Sequence, residues 1–375
     1  ESHANTLAAT LSGSNERDAY AAKVRCHPSA VEAALFADNV PLAVYDQLIA
    51  AVRAHLPIVH RYYELRRRLL GLDEIHHYDC YVPLVPELEQ KHTWAEAIQE
   101  ITASLQPLGT EYCDQLEAGL RGRWCDRYPN VGKQSGAFSS GTYDSDPYIL
   151  MNFQEDVIEH VFTLAHEAGH SMHTRLSADA QPFQYAGYTI FVAEVASTFN
   201  EQLLSRHLLS KAHSPKQRAA IISREIDAIR GTIIRQTMFA EFERMSHSSV
   251  ESGEPLTLEK IRTIYRELLT AYFGSGFAMD EALELESLRI PHFYRAFYVY
   301  KYATGLSASI ALSKRVTEGG PKELAAYLQF LRGGCSKWPL DLLRDAGVDL
   351  ETPEPVGLAL TRFGELVEEL ESLLG

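Results

Sequence analysis

Cysteine is scarce in this sequence, and the few cysteines form none of the patterns that build a metal or redox site. The 375 residues include five cysteines, which are scattered along the chain and are never spaced as Cys-x-x-Cys. This pattern argues against a disulfide-stapled scaffold. Isolated thiols of this kind are typical of a reducing compartment, and we therefore expect a cytoplasmic protein.

Long apolar runs, an excess of positive charge and glycine-rich phosphate loops are also missing. No apolar run approaches the roughly 20 residues that span a bilayer, and the first residues show no basic-then-apolar signal pattern. The formal net charge of -15 argues against nucleic acid or an anionic membrane as a partner. Because 46% of the residues are hydrophobic, the chain can bury a large core, and we expect a soluble globular protein.

Helix-compatible stretches dominate what is present. We predict helices over Pro41–Leu70, Trp94–Leu120, Gln154–Ser177, Thr189–Leu209, Pro215–Ser246, Leu258–Phe273, His292–Val316 and Glu354–Leu374. Residues 135–152 differ, because they mix glycine, serine, aromatic and β-branched residues, which predicts a short hairpin or edge strand. The expected fold class is mainly α with this small β element. No repeat or linker marks a domain boundary within residues 1–375.

A His-Glu-x-x-His motif lies in one of the predicted helices. His166 and His170 are four residues apart, so they share one helix face and can bind the same metal ion. Glu167 lies beside that metal, where a carboxylate can take a proton from a bound water molecule and act as general base. No proline occurs between Phe153 and Gln181, which supports the helix. The motif predicts one zinc ion per chain and hydrolytic chemistry.

A catalytic zinc site of this type needs a third protein ligand. The extended motif that adds a histidine six residues after His170 is missing, because Leu176 stands there. The next predicted helix presents Glu194, Ser197 and Glu201 on one face. Glu194 follows His170 by 24 residues, which leaves room for a turn and a return helix, and it is the predicted third ligand.

Two further polar residues can support this site. Glu201, two turns beyond Glu194, can hydrogen-bond a ligand histidine and fix its tautomer, or it is a plain surface glutamate. His173 shares the helix face of His166 but lies about 10 Å away along the axis, too far to bind the same metal. His173 therefore supports the site, faces the substrate or is exposed to solvent.

Four groups of residues carry a resemblance to a known family. They are His166–His173, Phe191–Glu201, Ser135–Phe138 with Asp146–Asn152, and Pro291–Tyr294 with Phe297–Gly305. In these stretches the chain resembles oligoendopeptidase F, one of the thimet-type oligopeptidases, which are zinc metallopeptidases. The resemblance implies a mostly helical, two-lobed shell around a deep channel that admits short peptides. Family members are longer, so we expect residues 1–375 to be one catalytic region that lacks an N-terminal part.

The segment after Pro291 holds a histidine followed by regularly spaced tyrosines. Tyr294, Tyr298 and Tyr302 are four apart, so on a helix they would form a stripe, with His292 just before it. The resemblance implies that a histidine and tyrosines of this region stabilise the oxyanion that forms during hydrolysis. We predict these roles for His292, Tyr298 and Tyr302, with Tyr300 as an alternative to the two tyrosines. The other interpretation of such a stripe is core packing.

These predictions define a zinc-dependent endopeptidase that hydrolyses internal bonds of short oligopeptides. In this hypothesis His166, His170 and Glu194 bind zinc, while residues 135–152 pair with an extended peptide or form only a structural hairpin. The alternative is a catalytically inactive protein, either a zinc-stapled helical peptide binder or a remnant of a longer enzyme. A structural zinc site usually has four ligands, commonly with cysteine, and no cysteine lies between Cys125 and Cys335.

Overall fold

Helices make up most of the fold. The computed structural model describes residues 2–85 and 91–375. Its α-helices are, in chain order, α1 Ala4–Val24, α2 Ala30–Leu35, α3 Leu42–Ala54, α4 Leu56–Leu69, α5 Trp94–Ser104, α6 Thr110–Arg121, α7 Ile158–Ala180, α8 Ile190–Lys211, α9 Pro215–Ile229, α10 Arg235–Glu251, α11 Leu258–Phe273, α12 Tyr300–Glu318, α13 Pro321–Leu331, α14 Pro339–Asp345 and α15 Glu354–Leu374. The strands are β1 Cys125–Asp126, β2 Phe138–Ser140 and β3 Tyr148–Leu150. The predicted class, mainly α with a small β element, is confirmed.

The predicted helices agree with the structure where no backbone break intervenes. Helices α11 and α15 begin and end as predicted, whereas α1, α2, α13 and α14 were not predicted. The predicted helix over 41–70 is two helices, because Pro57 occupies the first turn of a new helix. The stretch 94–120 is likewise broken at a 3-10 turn that contains Pro107. The predicted helix over 292–316 begins only at Tyr300, because Phe297 has a φ of 59°.

The chain divides into two compact units. The first unit comprises Glu1–Pro86, Ile226–Thr304 and Glu351–Gly375, and the second comprises Glu87–Glu225 and Gly305–Leu350. Because each unit is assembled from segments far apart in sequence, no local change of composition marks its boundaries.

In the first unit, α10 is the central helix. It packs against α1, α3 and α11, and α4 packs against α11 and α15. The ring of Phe242 on α10 contacts those of Tyr265 and Phe293, at centroid distances of 5.4 and 4.9 Å. The Tyr45 hydroxyl of α3 donates to the Ala240 carbonyl of α10 at 2.6 Å. This packing fixes the face of α10 that carries Glu243 and His247, both buried.

In the second unit, the close approach of α7 and α8 depends on a glycine of the motif. A Cβ atom on Gly169 would lie 2.6 Å from both the Ala196 carbonyl oxygen and the Ser197 Cα of α8. A larger residue would therefore force the helices apart. Asn200 of α8 also donates through Nδ2 to the Ala165 carbonyl at 3.1 Å. Gly169 is thus needed at one of the two variable positions of the motif, because it lets α8 reach the histidine-bearing face of α7.

The small sheet lies in the second unit and contacts α7. Strands β2 and β3 pair antiparallel, with Ser139 opposite Ile149, and β1 pairs parallel to the other side of β3. The order β1-β3-β2 makes β2 an edge strand. The Ser139 hydroxyl lies 2.8 Å from the Ser171 hydroxyl on α7. The predicted hairpin is confirmed, whereas the two-residue strand β1 was not predicted.

Within residues 2–85 and 91–375, no single helix is both long enough and apolar enough to cross a membrane. One consecutive helical pair, Ala30–Asp38 with Leu42–Ala54, passes on length and composition together, but it is bent by 108°.

Candidate active site

The three predicted metal ligands come together in the second unit. His166 and His170 project from α7 and Glu194 from α8, and one ligand atom from each lies within 4.8 Å of the others. The Glu194 Oε2 atom is 3.3 Å from His166 Nε2 and 3.8 Å from His170 Nε2. Gly305 makes room for Glu194, because a Cβ there would lie 3.4 Å from the Glu194 Cβ.

The geometry and chemistry of this donor set fit a zinc ion. Nitrogen or oxygen ligands about 2.1 Å from a tetrahedral zinc ion lie roughly 3.4 Å from one another. The two contacts of Glu194 with the histidines, at 3.3 and 3.8 Å, are close to that separation. Two imidazoles and one carboxylate also leave a fourth position for water or substrate, as in catalytic rather than structural sites.

Glu167 is a buried carboxylate with one unused oxygen. Only 6% of the residue is exposed, and its Oε2 atom makes no hydrogen bond to any described residue. Burial raises the pKa of Glu167, although the positive charge of His166 opposes the rise. The Ser139 backbone amide of β2 also lies against the carboxylate and favours its ionised form. A carboxylate with a raised pKa and a spare oxygen is suited to accept and return a proton.

The Nδ1 side of the His166 ring contacts a chain of charged groups. The His166 Nδ1 atom lies 2.8 Å from Glu201 Oε1, and Arg224 Nη2 donates to Glu201 Oε2 at 2.9 Å. Arg224 of α9 also pairs with Glu159 at 2.9 Å, and its guanidinium lies 3.4 Å from the Phe162 ring centroid. Burial would raise the pKa of Glu201, but His166 and Arg224 keep it below its ordinary value. The interpretation of Glu201 as a surface residue is therefore wrong.

Sequence reasoning missed Arg224. It follows Glu201 by 23 positions and Glu159 by 65, so no spacing rule links the three residues. Only the packing of α9 shows that an arginine in an ordinary amphipathic helix contacts Glu201, the carboxylate that lies against His166.

The predicted tyrosine stripe is wrong, but His292, Tyr298 and Tyr302 do lie together in the first unit. The His292 ring centroid is 5.8 Å from that of Tyr298 and 6.0 Å from that of Tyr302. The Tyr302 hydroxyl lies 3.5 Å from His292 Nε2. Tyr294 is elsewhere, with its hydroxyl donating to the Leu288 carbonyl at 3.0 Å. The stripe fails because residues 295–299 are not helical.

Tyr300, the alternative to these tyrosines, is a core residue. It is 0% exposed, and its ring packs against Tyr45 at a centroid distance of 5.3 Å. Burial raises its pKa far above the ordinary range. The geometry therefore favours Tyr298 and Tyr302, which share the His292 cluster, over Tyr300.

Comparison with known proteins places the chain in a family. The sequence matches the profile of peptidase family M3 over residues 1–361. The chain belongs to peptidase family M3. It is 47% identical over 370 residues to the oligopeptidase PepF of Bacillus subtilis (strain 168), covering 99% of this chain and 55% of that protein. It is 38% identical over 374 residues to an oligoendopeptidase F homolog of Lactococcus lactis subsp. lactis (strain IL1403), covering 100% of this chain and 62% of that protein. The resemblance to oligoendopeptidase F is confirmed.

Solved structures agree with this assignment. A putative peptidase from Chlamydophila abortus superimposes with a TM-score of 0.93 at 40% identity, covering 99% of this M3 chain and 62% of that one. The oligoendopeptidase-F from Enterococcus faecium gives a TM-score of 0.81 at 34% identity, covering 100% and 60%. The chain thus spans between 55% and 62% of the length of these four relatives.

His173 of this M3 chain is a buried residue of α7 that packs against an aromatic ring. The residue is 1% exposed, so the interpretation as a solvent-exposed histidine is wrong. Its ring stacks on Tyr188, with centroids 3.7 Å apart and planes inclined by 7°. The Tyr188 hydroxyl lies 3.4 Å from the His170 carbonyl and 2.9 Å from the Thr174 hydroxyl. This stack therefore braces the turn of α7 that carries His170.

The protonation of His166 predicts how metal binding depends on pH. Burial alone would lower the pKa of His166, but the carboxylates of Glu194 and Glu201 raise it to about 10. Burial and the charge of His166 lower the pKa of His170 to about 4. Between these values, the metal-free chain carries a proton on His166 and none on His170. Because a ligand imidazole must be neutral, binding of zinc in this range displaces about one proton.

The apparent zinc affinity should therefore rise about tenfold per pH unit as the pH increases toward the pKa of His166, and fall with acidification. Isothermal titration calorimetry in two buffers of different ionisation enthalpy, at mildly acidic pH, measures the number of protons released. Release of no proton would show that His166 is already neutral in the metal-free protein.

Proposed function

We propose that this chain forms the catalytic part of a zinc-dependent endopeptidase that cleaves internal bonds of short oligopeptides. The arrangement of His166, His170 and Glu194 around one point, with Glu167 beside them, carries the proposal. The relatives named oligopeptidase and oligoendopeptidase support the same reaction and substrate class.

Glu167 would move the proton in this reaction. When bound, zinc would supply Lewis-acid polarisation of the scissile carbonyl and of the attacking water. Glu167 would accept a proton from that water at its unused Oε2 atom and deliver it to the departing amine. His166, His170 and Glu194 would hold the metal, and Glu201 would hold His166 in the tautomer that presents Nε2.

Strand β2 would orient the peptide. It is an edge strand, and its residue Ser139 lies against both Glu167 and Ser171. A substrate that pairs with the backbone of β2 would be held extended beside the proposed base without selection of its side chains. This binding mode suits a peptidase with broad specificity. If the hairpin is purely structural, altering β2 should leave the affinity for the substrate unchanged.

His292, Tyr298 and Tyr302 would stabilise the oxyanion. Imidazole and phenol groups are suitable hydrogen-bond donors for the negative charge that forms on the former carbonyl oxygen. Support for this role comes from the resemblance of the segment to oligoendopeptidase F and from the mutual proximity of the three rings.

A cytoplasmic location is proposed on the basis of cysteine usage. All five cysteines have free thiols, and Cys80 and Cys113 are buried. Buried, unpaired thiols of this kind are typical of proteins in a reducing compartment.

Zinc content and peptide cleavage test the proposal together. We expect about one zinc ion per chain and cleavage of an internal bond in a short fluorogenic peptide. A chelator should abolish cleavage, and added zinc should restore it. Zinc binding without cleavage would favour an inactive peptide binder or remnant, and absence of zinc binding would contradict the proposed metal site.

A further inference from the structure

A buried carboxyl group holds the backbone of the segment that precedes α12. Glu243 on α10 is 1% exposed, and its Oε1 atom accepts a hydrogen bond from the Phe297 backbone amide at 2.9 Å. Its Oε2 atom is buried and makes no hydrogen bond to any residue in the described ranges. Burial raises the pKa of Glu243 well above its ordinary value. Burial therefore destabilises the ionised form of this carboxyl group, and its hydrogen-bond partner is the Phe297 backbone amide.

Phe297 has an unusual backbone conformation. Its φ is 59°, in the left-handed region that is strained for a residue with a bulky side chain. The ring is buried and packs against His247 and Tyr45, at centroid distances of 4.6 and 6.0 Å. The hydrogen bond from the Phe297 amide to Glu243 and this ring packing stabilise the strained conformation.

This conformation separates the directions of two consecutive side chains. Phe297 is buried in the first unit, while the ring of Tyr298 lies 5.8 Å from His292 and 5.4 Å from Tyr302. A residue that relaxed to negative φ at position 297 would redirect the backbone immediately before Tyr298. The position of Tyr298 in the aromatic cluster thus depends on the backbone of Phe297.

We propose that Glu243 is a positioning residue that fixes the His292–Tyr298–Tyr302 cluster through the Phe297 amide. The inference deepens the proposed function, on which the catalytic role of that cluster rests. Glu243 is well placed for this task, because α10 is itself held against α1. Asn15 donates to the Ser246 hydroxyl at 3.0 Å, and His247 Nε2 lies 3.5 Å from Asp18.

Three variants separate positioning from general stability. Glu243→Leu removes the acceptor of the Phe297 amide, whereas Glu243→Gln keeps a carbonyl oxygen that can accept the same hydrogen bond. Tyr45→Phe is the matched control, because it removes a different buried hydrogen bond to α10, at Ala240, and keeps the ring. For each variant we would measure thermal unfolding, zinc content, kcat and KM for a fluorogenic peptide, and hydrogen exchange over residues 292–299.

Glu243→Leu should lower kcat about 10- to 100-fold, with KM and zinc content nearly unchanged and with faster exchange at Phe297. Glu243→Gln should stay within about threefold of the original kcat, and so should Tyr45→Phe even if it unfolds at lower temperature. If Glu243→Leu keeps the kcat and the hydrogen exchange of the original chain, the inference is overturned. An equal loss of kcat in all three variants would also overturn it. If the unmodified chain binds zinc but cleaves no peptide, the proposed function fails, and unchanged exchange at Phe297 would independently contradict positioning by Glu243.

Discussion

Glu167→Gln should retain zinc and lose kcat by at least about 10³-fold. The substitution keeps the shape of the side chain but removes its ability to accept a proton. Glu167 is not among the three grouped ligand residues, so the metal site should remain intact. Peptide cleavage at saturating substrate and elemental analysis of the same preparation measure the two effects.

The control for this prediction is Glu117→Gln on α6. Glu117 forms an exposed ion pair with Arg121 at 2.7 Å, so its substitution changes the same charge at a site without proposed chemistry. Its kcat should remain within about twofold of the original, since exposed ion pairs contribute little. A kcat for Glu167→Gln within about tenfold of the original chain would exclude Glu167 as the general base.

The grouping of the three candidate metal ligands could be predicted from the sequence because these residues obey helical periodicity. His166 and His170 lie one turn apart on α7, and Glu194 could be selected from the facing helix by its distance along the chain. The role of Gly169 could not be assigned in this way. It depends on the approach of the Ala196 backbone, which only the packing of α8 determines.

The aromatic cluster shows where periodicity fails. Four-residue spacing grouped Tyr294 with Tyr298 and Tyr302, but a helix does not connect them. The positive φ of Phe297 is stabilised by Glu243, which lies 54 residues earlier in the chain. Because phenylalanine carries no local signal for that conformation, the break before α12 had to come from the tertiary structure.

The two units could not be predicted from the sequence for a related reason. Each unit joins segments that are separated along the chain by segments of the other, so packing rather than local composition defines it. Arg224 is similar, because its partners Glu201 and Glu159 lie on different helices. Local patterns thus predicted many of the helices and the three residues that group as candidate metal ligands, whereas contacts between distant segments determine how those residues are supported.

Glu194→Ala should weaken zinc binding by more than about 10³-fold. Among the described residues, it removes one of the three grouped candidate ligands, and the one that is a carboxylate. The two histidines would remain, but a neutral pair of imidazoles holds zinc poorly without a third donor. Competition with a chromophoric chelator measures the affinity directly and requires no catalytic activity.

Substitutions of the residues that support His166 should weaken zinc binding less than substitution of a ligand does. Glu201→Gln and Arg224→Ala leave all three ligands in place and disturb only the hydrogen bonds that orient His166, so we expect a loss of about 10- to 100-fold in affinity. Arg206→Ala is the matched control, because Arg206 forms an exposed pair with Glu318 at 3.8 Å. Affinity within about tenfold of the original in Glu194→Ala would place the third ligand elsewhere. A loss in Arg224→Ala no greater than in Arg206→Ala would instead restrict the support of His166 to Glu201 alone.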